Sequence, residues 1–309
     1  MVGMNRAAQF LVLFWLVATA GCRTAINYPN PAGPRYAGGT SGGQRGGWFA
    51  ATGHLRLVTF NVHWGRHLDR AIELLRVAGA ADGADIVALQ EVDARQTKRV
   101  ADALGMSFVY YPAVVHPVTG RDFGTAVLAR WPIVEDWKVI LPHPGRFLRT
   151  QRAATAATIL VGDDSLRVYS VHLATMMEAG PTSRREQARA VVADAARFSR
   201  VVVAGDMNGV AVGEEFRACG FLWPTRDNEP TFHVFTWDHI FLRGLVVKDS
   251  LSIGVVDEDL GASDHRPVWA VARLLPPDRG NDHQTGPSRE SRLEGCAALA
   301  LRPDTATRT

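Results

Sequence analysis

The sequence is poor in cysteine and lysine, and neither sign of charge dominates it. Three cysteines in 309 residues, at 22, 219 and 296, are too few for a disulfide scaffold. Lysine occurs only at 98, 138 and 248, so the positive charge is carried by arginine, which we read as coding bias. The balance of 34 Lys and Arg against 31 Asp and Glu leaves a net charge of only +3. The N-terminal apolar run, residues 7–20 (AAQFLVLFWLVATA), stops short of the roughly 20 residues that cross a bilayer. The 47% hydrophobic content with a mean hydropathy near zero excludes a polytopic membrane protein. The same content excludes a wholly disordered chain, and no internal repeat is visible.

What is present begins with an address. Arg6 precedes the apolar run, and the run ends in Thr19-Ala20-Gly21-Cys22. A short basic segment, an apolar stretch and small residues are the parts of an export signal. Small residues before a cysteine resemble a bacterial lipoprotein cleavage site, which implies acylation at Cys22. We therefore read residues 1–21 as a signal peptide. The next stretch, 22–53, is rich in Gly and Pro without periodicity and reads as a tether. Residues 276–309 are polar and aperiodic and read as a disordered tail. A folded domain over 54–275 remains, with 25 Lys and Arg against 26 Asp and Glu. A domain that grips long nucleic acid usually carries a basic face, and this balance does not favour one. A bridge between Cys219 in the domain and Cys296 in the tail is not expected.

Within the domain, short apolar runs alternate with amphipathic stretches. LRLVTFN (55–61), DIVAL (85–89), GTAVLA (124–129), 153–161, LRVYSVHL (166–173), VVVA (201–204), WDHIFL (237–242) and 267–274 read as strands. Leu68, Ile72, Leu75 and Ala78 share one helical face. Ser183 and Glu186 have capping-box spacing at the start of a helix expected over 183–198. Many strands with few helices predict an α/β protein with two packed sheets.

The chemistry sits at the strand ends. Asn61 follows LRLVTF, Glu91 follows DIVALQ, and His172 lies within VYSVHL. Asp206 and Asn208 follow VVVAG, Asp238 opens DHIF, and Asp264 and His265 precede RPVWAV. One such residue is ordinarily a turn or a cap. Six sites placed alike converge on one sheet edge, where α/β folds bind ligands. Hard oxygen donors suit Mg²⁺ or Mn²⁺ better than zinc, and clustered carboxylates call for a cation. Two competing patterns fail. Gly39-Thr40-Ser41-Gly42-Gly43 matches a serine-hydrolase elbow but lies in linker. Ser263, Asp264 and His265 are consecutive and do not by themselves chain into a triad.

The ordered set FNVHWG, ALQEVD, FGTAVLARWPI, SVHL, AGDMNG, WDHIF and SDHRPV resembles the endonuclease/exonuclease/phosphatase superfamily of metal-dependent phosphohydrolases, over about residues 54–275. The resemblance implies a four-layered α/β sandwich, two mixed sheets face to face with helices outside. It implies Glu91 as the principal Mg²⁺ ligand, with Asn61 and Asp264 close by. It implies that Asp206 orients or activates water and that Asn208 and His172 hold phosphate oxygens. His265 would act on the scissile phosphate as base or stabiliser, oriented by Asp238.

Arg146, Arg149 and Arg152 form the clearest basic cluster in the domain, and Arg149 and Arg152 are candidate phosphate contacts. The sequence thus predicts an exported, lipid-anchored, monomeric Mg²⁺-dependent phosphodiesterase. Its substrate would be nucleic acid or a phospholipid head group, and the protein would meet the membrane through its anchor. A phosphatase of the same fold and a non-catalytic surface-binding lipoprotein are the alternatives.

Overall fold

A computed structural model describes residues 25–39, 52–77, 83–247, 249–257, 260–276 and Cys296. The signal peptide, Cys22 and nearly all of the tail lie outside the described residues.

Period-two alternation builds the central strands. In β3 (His54–Asn61), Leu55 and Leu57 face the space between two sheets, while Val58 and Phe60 face outward under helices. The other strands of the first sheet are β1 (Ile26–Asn27), β2 (Tyr36–Gly38), β4 (Ile86–Val92), β5 (Ser107–Val115) and β6 (Asp122–Ala129). It is completed by β12 (Leu245–Val247), β13 (Ile253–Val255) and β14 (Val268–Leu274). Its path runs β1-β5-β6-β4-β3-β14-β12, with β2 on β5 and β13 on β14. The second sheet holds β7 (Ile133–Ile140), β8 (Ala153–Val161), β9 (Asp164–His172), β10 (Val201–Asp206) and β11 (Asp238–Arg243), in the order β11-β10-β9-β8-β7.

One apolar cluster fills the gap between the sheets, joining Leu57, Ile86 and Val127 to Ala157, Val168 and Ile240. A second packs α1 (Leu68–Val77) and α2 (Ala94–Leu104) on the first sheet. A third packs α3 (Pro181–Ala195) and α4 (Gly213–Ala218) on the second. The result is the expected four-layered sandwich of two mixed sheets between helices.

Register sets the working edge. β3 and β4 run parallel and end together, Asn61 opposite Gln90. β9 and β10 are parallel and end with His172 opposite Asp206, and β11 begins there with Asp238 opposite Asp206. Gly205 makes this approach possible, since a Cβ there would meet the Val171 carbonyl oxygen at 1.9 Å.

Three expectations change, and one helix is new. Residues 25–38, read as tether, are built into the domain. β1 and β2 pair with β5, Arg35 forms a two-pronged pair with Asp136, and Lys138 Nζ donates to the Tyr28 and Gly33 carbonyls. Composition conceals this because backbone pairing and carbonyl capture need no apolar pattern. Cys219 and Cys296 form a disulfide with Cα atoms 5.7 Å apart, so the tail returns to the domain at that point. Helix α3 begins at Pro181 with no side-chain cap, and Glu186 instead meets His143. Helix α2, unread in the sequence, has a full capping box of Asp93 and Gln96. Its long charged surface and few buried residues hide it.

Candidate active site

The six sequence-selected positions meet at this edge. Glu91 reaches it through a bulge: the β4–β6 register shifts between Gln90 and Val92, and Glu91 takes a left-handed φ of 59°. A bulge re-aims the side chain that the pleat would otherwise fix. Asn208 has a left-handed φ of 49° just after β10. Non-glycine residues in this region are uncommon, and such strain collects at functional sites.

Asn61 ties the two sheets together. Its Nδ2 donates to Glu91 Oε1 at 3.3 Å and to Asp206 Oδ2 at 3.1 Å. Its Oδ1 accepts from the His63 N–H. Asn61 thus bridges two carboxylates from different layers. Asp206 Oδ1 accepts the Asn208 N–H at 2.8 Å, and Asn208 Nδ2 donates to the Leu173 carbonyl.

The imidazole of His265 stands between two carboxylates. Its Nδ1 lies 2.7 Å from Asp238 Oδ2 and its Nε2 lies 3.7 Å from Asp206 Oδ2. All three residues are buried, and their ligand atoms lie within 4.8 Å of one another. Burial disfavours a charged imidazole, but Asp238 and Asp206 outweigh it and push His265 up to about 10. His265 is therefore imidazolium at neutral pH. Burial and the Asp238 charge push Asp206 upward, against His265. Burial raises Glu91 to about 7 despite nearby Arg152.

His172 Nε2 lies 3.4 Å from Asp206 Oδ2, and its Nδ1 is buried without a hydrogen-bond partner among the described residues. Burial, Arg152 and His265 hold it well below the usual histidine range, so it is neutral. Asp264 is more open. Ser263 Oγ donates to the Asn61 carbonyl at 2.7 Å, which brings this loop against β3. Asp264 Oδ1 lies 3.3 Å from His63 Nδ1.

The two candidate arginines separate. Arg152 is buried, pairs with Glu178 and lies over the Phe123 ring. Its Nε and Nη1 are buried without hydrogen-bond partners among the described residues, and its charge reaches Glu91, His172 and His116. Arg149 is exposed, and its carbonyl accepts from Asn27 Nδ2. Tyr110 and Tyr111 are core residues, with Tyr111 bonded to Asp136.

Sequence reasoning missed the walls. On one side Trp64, His116 and Phe123 pack edge to face or tilted, and Phe123 continues to His172. On the other, Phe232 and Phe235 stack on Trp237, and Phe232 lies 4.7 Å from the His265 ring. Trp64, Phe123 and Trp237 stood inside quoted motifs without being singled out, whereas His116 carried no signal without the strand pairing. The pocket beside Glu91 is lined by Trp64, Gln96, Arg121 and Phe123.

A model of the Endonuclease/Exonuclease/phosphatase family matches residues 58–265. No curated protein matches the sequence. Solved structures do. An endonuclease/exonuclease/phosphatase from Bacteroides vulgatus is 18% identical, with 72% of this chain and 99% of that one covered and a TM-score of 0.59. Another from Beutenbergia cavernae is 23% identical, with 72% of each chain covered and a TM-score of 0.56. A mannosyl-6-phosphatase from Bacteroides thetaiotaomicron is 19% identical, with 72% and 99% covered and a TM-score of 0.53. At these identities the likeness is one of fold.

Proposed function

Because the chain belongs to the endonuclease/exonuclease/phosphatase family, we propose that it is an exported, divalent-metal-dependent phosphodiesterase. The observation that carries the reading is the Asp238–His265–Asp206 arrangement beside Glu91 and Asn61.

The residues present fit a hard cation. Glu91 is desolvated with its carboxyl raised to about 7, and Asp206 faces it across a single amide. Buried oxygens in that condition gain most from a Mg²⁺ or Mn²⁺ partner. Glu91, with Asn61 and Asp264 beside it, would hold the ion. When bound, it supplies Lewis acidity toward a phosphoryl oxygen.

The other roles follow from the chain's own groups. Asp238 accepts the Nδ1 proton of His265, which fixes the ring and keeps it charged. The Nε2–H of His265 then donates to a phosphoryl oxygen as charge builds. Asp206, pushed upward by burial and Asp238, takes a proton from the attacking water. The Asn208 N–H and the Asn61 amide hold Asp206 in place, with the neutral His172 beside it. Asn208 Nδ2 retains a second hydrogen for a phosphate oxygen. Losing one such preorganised donor typically costs about 10²–10³ in rate.

The Cys219–Cys296 bridge supports export, since disulfides persist in oxidising compartments. A monoesterase is the second reading; the phosphatase among the structural neighbours favours it.

A substrate panel tests the proposal: plasmid DNA, RNA, phospholipids, an aryl phosphodiester and its monoester, each with Mg²⁺ or EDTA. We expect EDTA-sensitive diester cleavage that is lost in Asp206→Ala and His265→Ala. Turnover confined to the monoester would establish the phosphatase, and turnover indifferent to EDTA would contradict both readings.

A further inference from the structure

The edge that carries the candidate catalytic residues also carries five of the seven most exposed large apolar side chains among the described residues. Ile26, Val118, Phe147, Met177 and Val234 are 66, 71, 75, 77 and 77% exposed. Each leaves the fold at that edge. Ile26 pairs with Val115 at the end of β5, and Val118 sits in the β5–β6 turn. Phe147 precedes β8, Met177 follows β9, and Val234 precedes β11. The register puts these strand ends beside Glu91, His172 and Asp206. Two other comparably exposed residues, Val77 and Leu251, lie away from it, at the end of α1 and before β13. Single exposed apolar residues need no explanation, but a set sharing the rim of one site does.

Three features identify what covers the rim. The first is where the chain enters. The Ala25 N–H donates to the Leu148 carbonyl at 2.9 Å, directly beside Phe147. Cys22 is three residues earlier, and three residues span at most about 11 Å. An acyl group on Cys22 would therefore hold this edge within head-group depth of a bilayer, and no long tether intervenes. The second is charge. Phe147 and Leu148 are flanked by exposed Arg146 and Arg149, and apolar tips between basic residues suit an anionic interface. The third is linkage to the site. The Arg146 N–H donates to the Glu178 carbonyl, and Glu178, next to Met177, also pairs with Arg152.

We propose that this rim docks onto a lipid surface, so that the active site faces the bilayer and takes its phosphodiester from phospholipid head groups. The substrate half of this inference rests on the phosphodiesterase reading above. The docking half does not.

The test uses residues 22–309 carrying Cys22→Ser, which contain every described residue and no acyl group. Co-sedimentation is measured with vesicles of phosphatidylcholine alone and of phosphatidylcholine mixed with phosphatidylglycerol. Hydrolysis of a soluble aryl diester is followed in parallel. We expect binding to the mixed vesicles that weakens as salt rises. Phe147→Ser with Met177→Ser should weaken it about tenfold or more and leave soluble-diester turnover unchanged. No sedimentation, or sedimentation untouched by the double variant, would overturn the docking. So would a solution dimer that the double variant dissociates, since the rim would then face a second copy. Vesicle binding by a protein that hydrolyses neither the soluble diester nor the lipid would support docking while contradicting the phosphodiesterase reading.

Discussion

Glu91 concentrates the tension of the site in one side chain. Its backbone is left-handed, its carboxyl is desolvated, and its one hydrogen-bond donor among the described residues is an amide shared with Asp206. A group whose folded pKa is raised from 4.5 to about 7 stabilises the fold least when ionised. Its cost is absent below pH 4.5 and complete above about 7. Glu91→Gln should therefore raise the Tm of the metal-free protein at pH 8 and abolish the stabilisation that Mg²⁺ gives the parent chain. Thermal melts with and without EDTA check this. Asp238→Asn separates orientation from charge, because it keeps the shape but removes the anion that holds His265 protonated. It should lower kcat by about 10²–10⁴ with little change in KM. An unchanged kcat would remove the Asp–His pair from the mechanism.

At the scale of elements, the loops before β8 and after β9 are held together by one carboxylate. Burial alone would raise Glu178. Arg152, the Thr175 N–H and the Thr150 hydroxyl overturn that and hold it at about 2. A depressed carboxyl contributes stability that is present above pH 4.5 and lost as pH falls through about 2. Glu178→Gln should destabilise the protein at neutral pH by about 2–3 kcal/mol and flatten its acid-unfolding curve over that window. Urea unfolding at a series of pH values measures both. The pair also marks a boundary of what sequence shows. Asn61, Glu91, Asp206, Asp238 and His265 were legible because each adjoins a buried apolar run, so strand pairing, the packing of the two sheets and the bulge at Glu91 gather them. Arg152 was legible as a charge but not as a partner of Glu178, since that contact depends on how two loops approach. β1 and β2 were illegible for another reason. They are short and solvent-facing, and Lys138 and the β5 backbone hold them.

At the scale of the whole molecule, described residues from both sides of the domain in sequence return to it. Residues 25–38 are stitched to β5 near the catalytic edge, and Cys296 is bridged to Cys219 after α4. The bridge spans 77 residues of sequence. Chain-entropy arguments give such a crosslink about 4 kcal/mol. Cys296→Ser should lower the Tm by several degrees without changing kcat, and an unshifted melt would deny the bridge a structural role. This long-range closure was the feature least visible in the sequence, where the tail is aperiodic and one cysteine looks isolated. Two packed sheets were plain from the short apolar runs and the family resemblance implied the four layers, whereas the aromatic walls of the site needed the sandwich to bring Trp64 to Phe123 and Phe232 to His265. We propose that Glu91, Asp206 and His265 form one metal-assisted phosphodiesterase centre. Its most direct test is the rate of aryl phosphodiester hydrolysis, titrated with Mg²⁺ in the parent chain and in Glu91→Gln. Saturable Mg²⁺-dependent turnover is expected in the parent, and its loss, or a large rise in the Mg²⁺ needed, in the variant. Equal turnover in both, at every Mg²⁺ concentration, would contradict it.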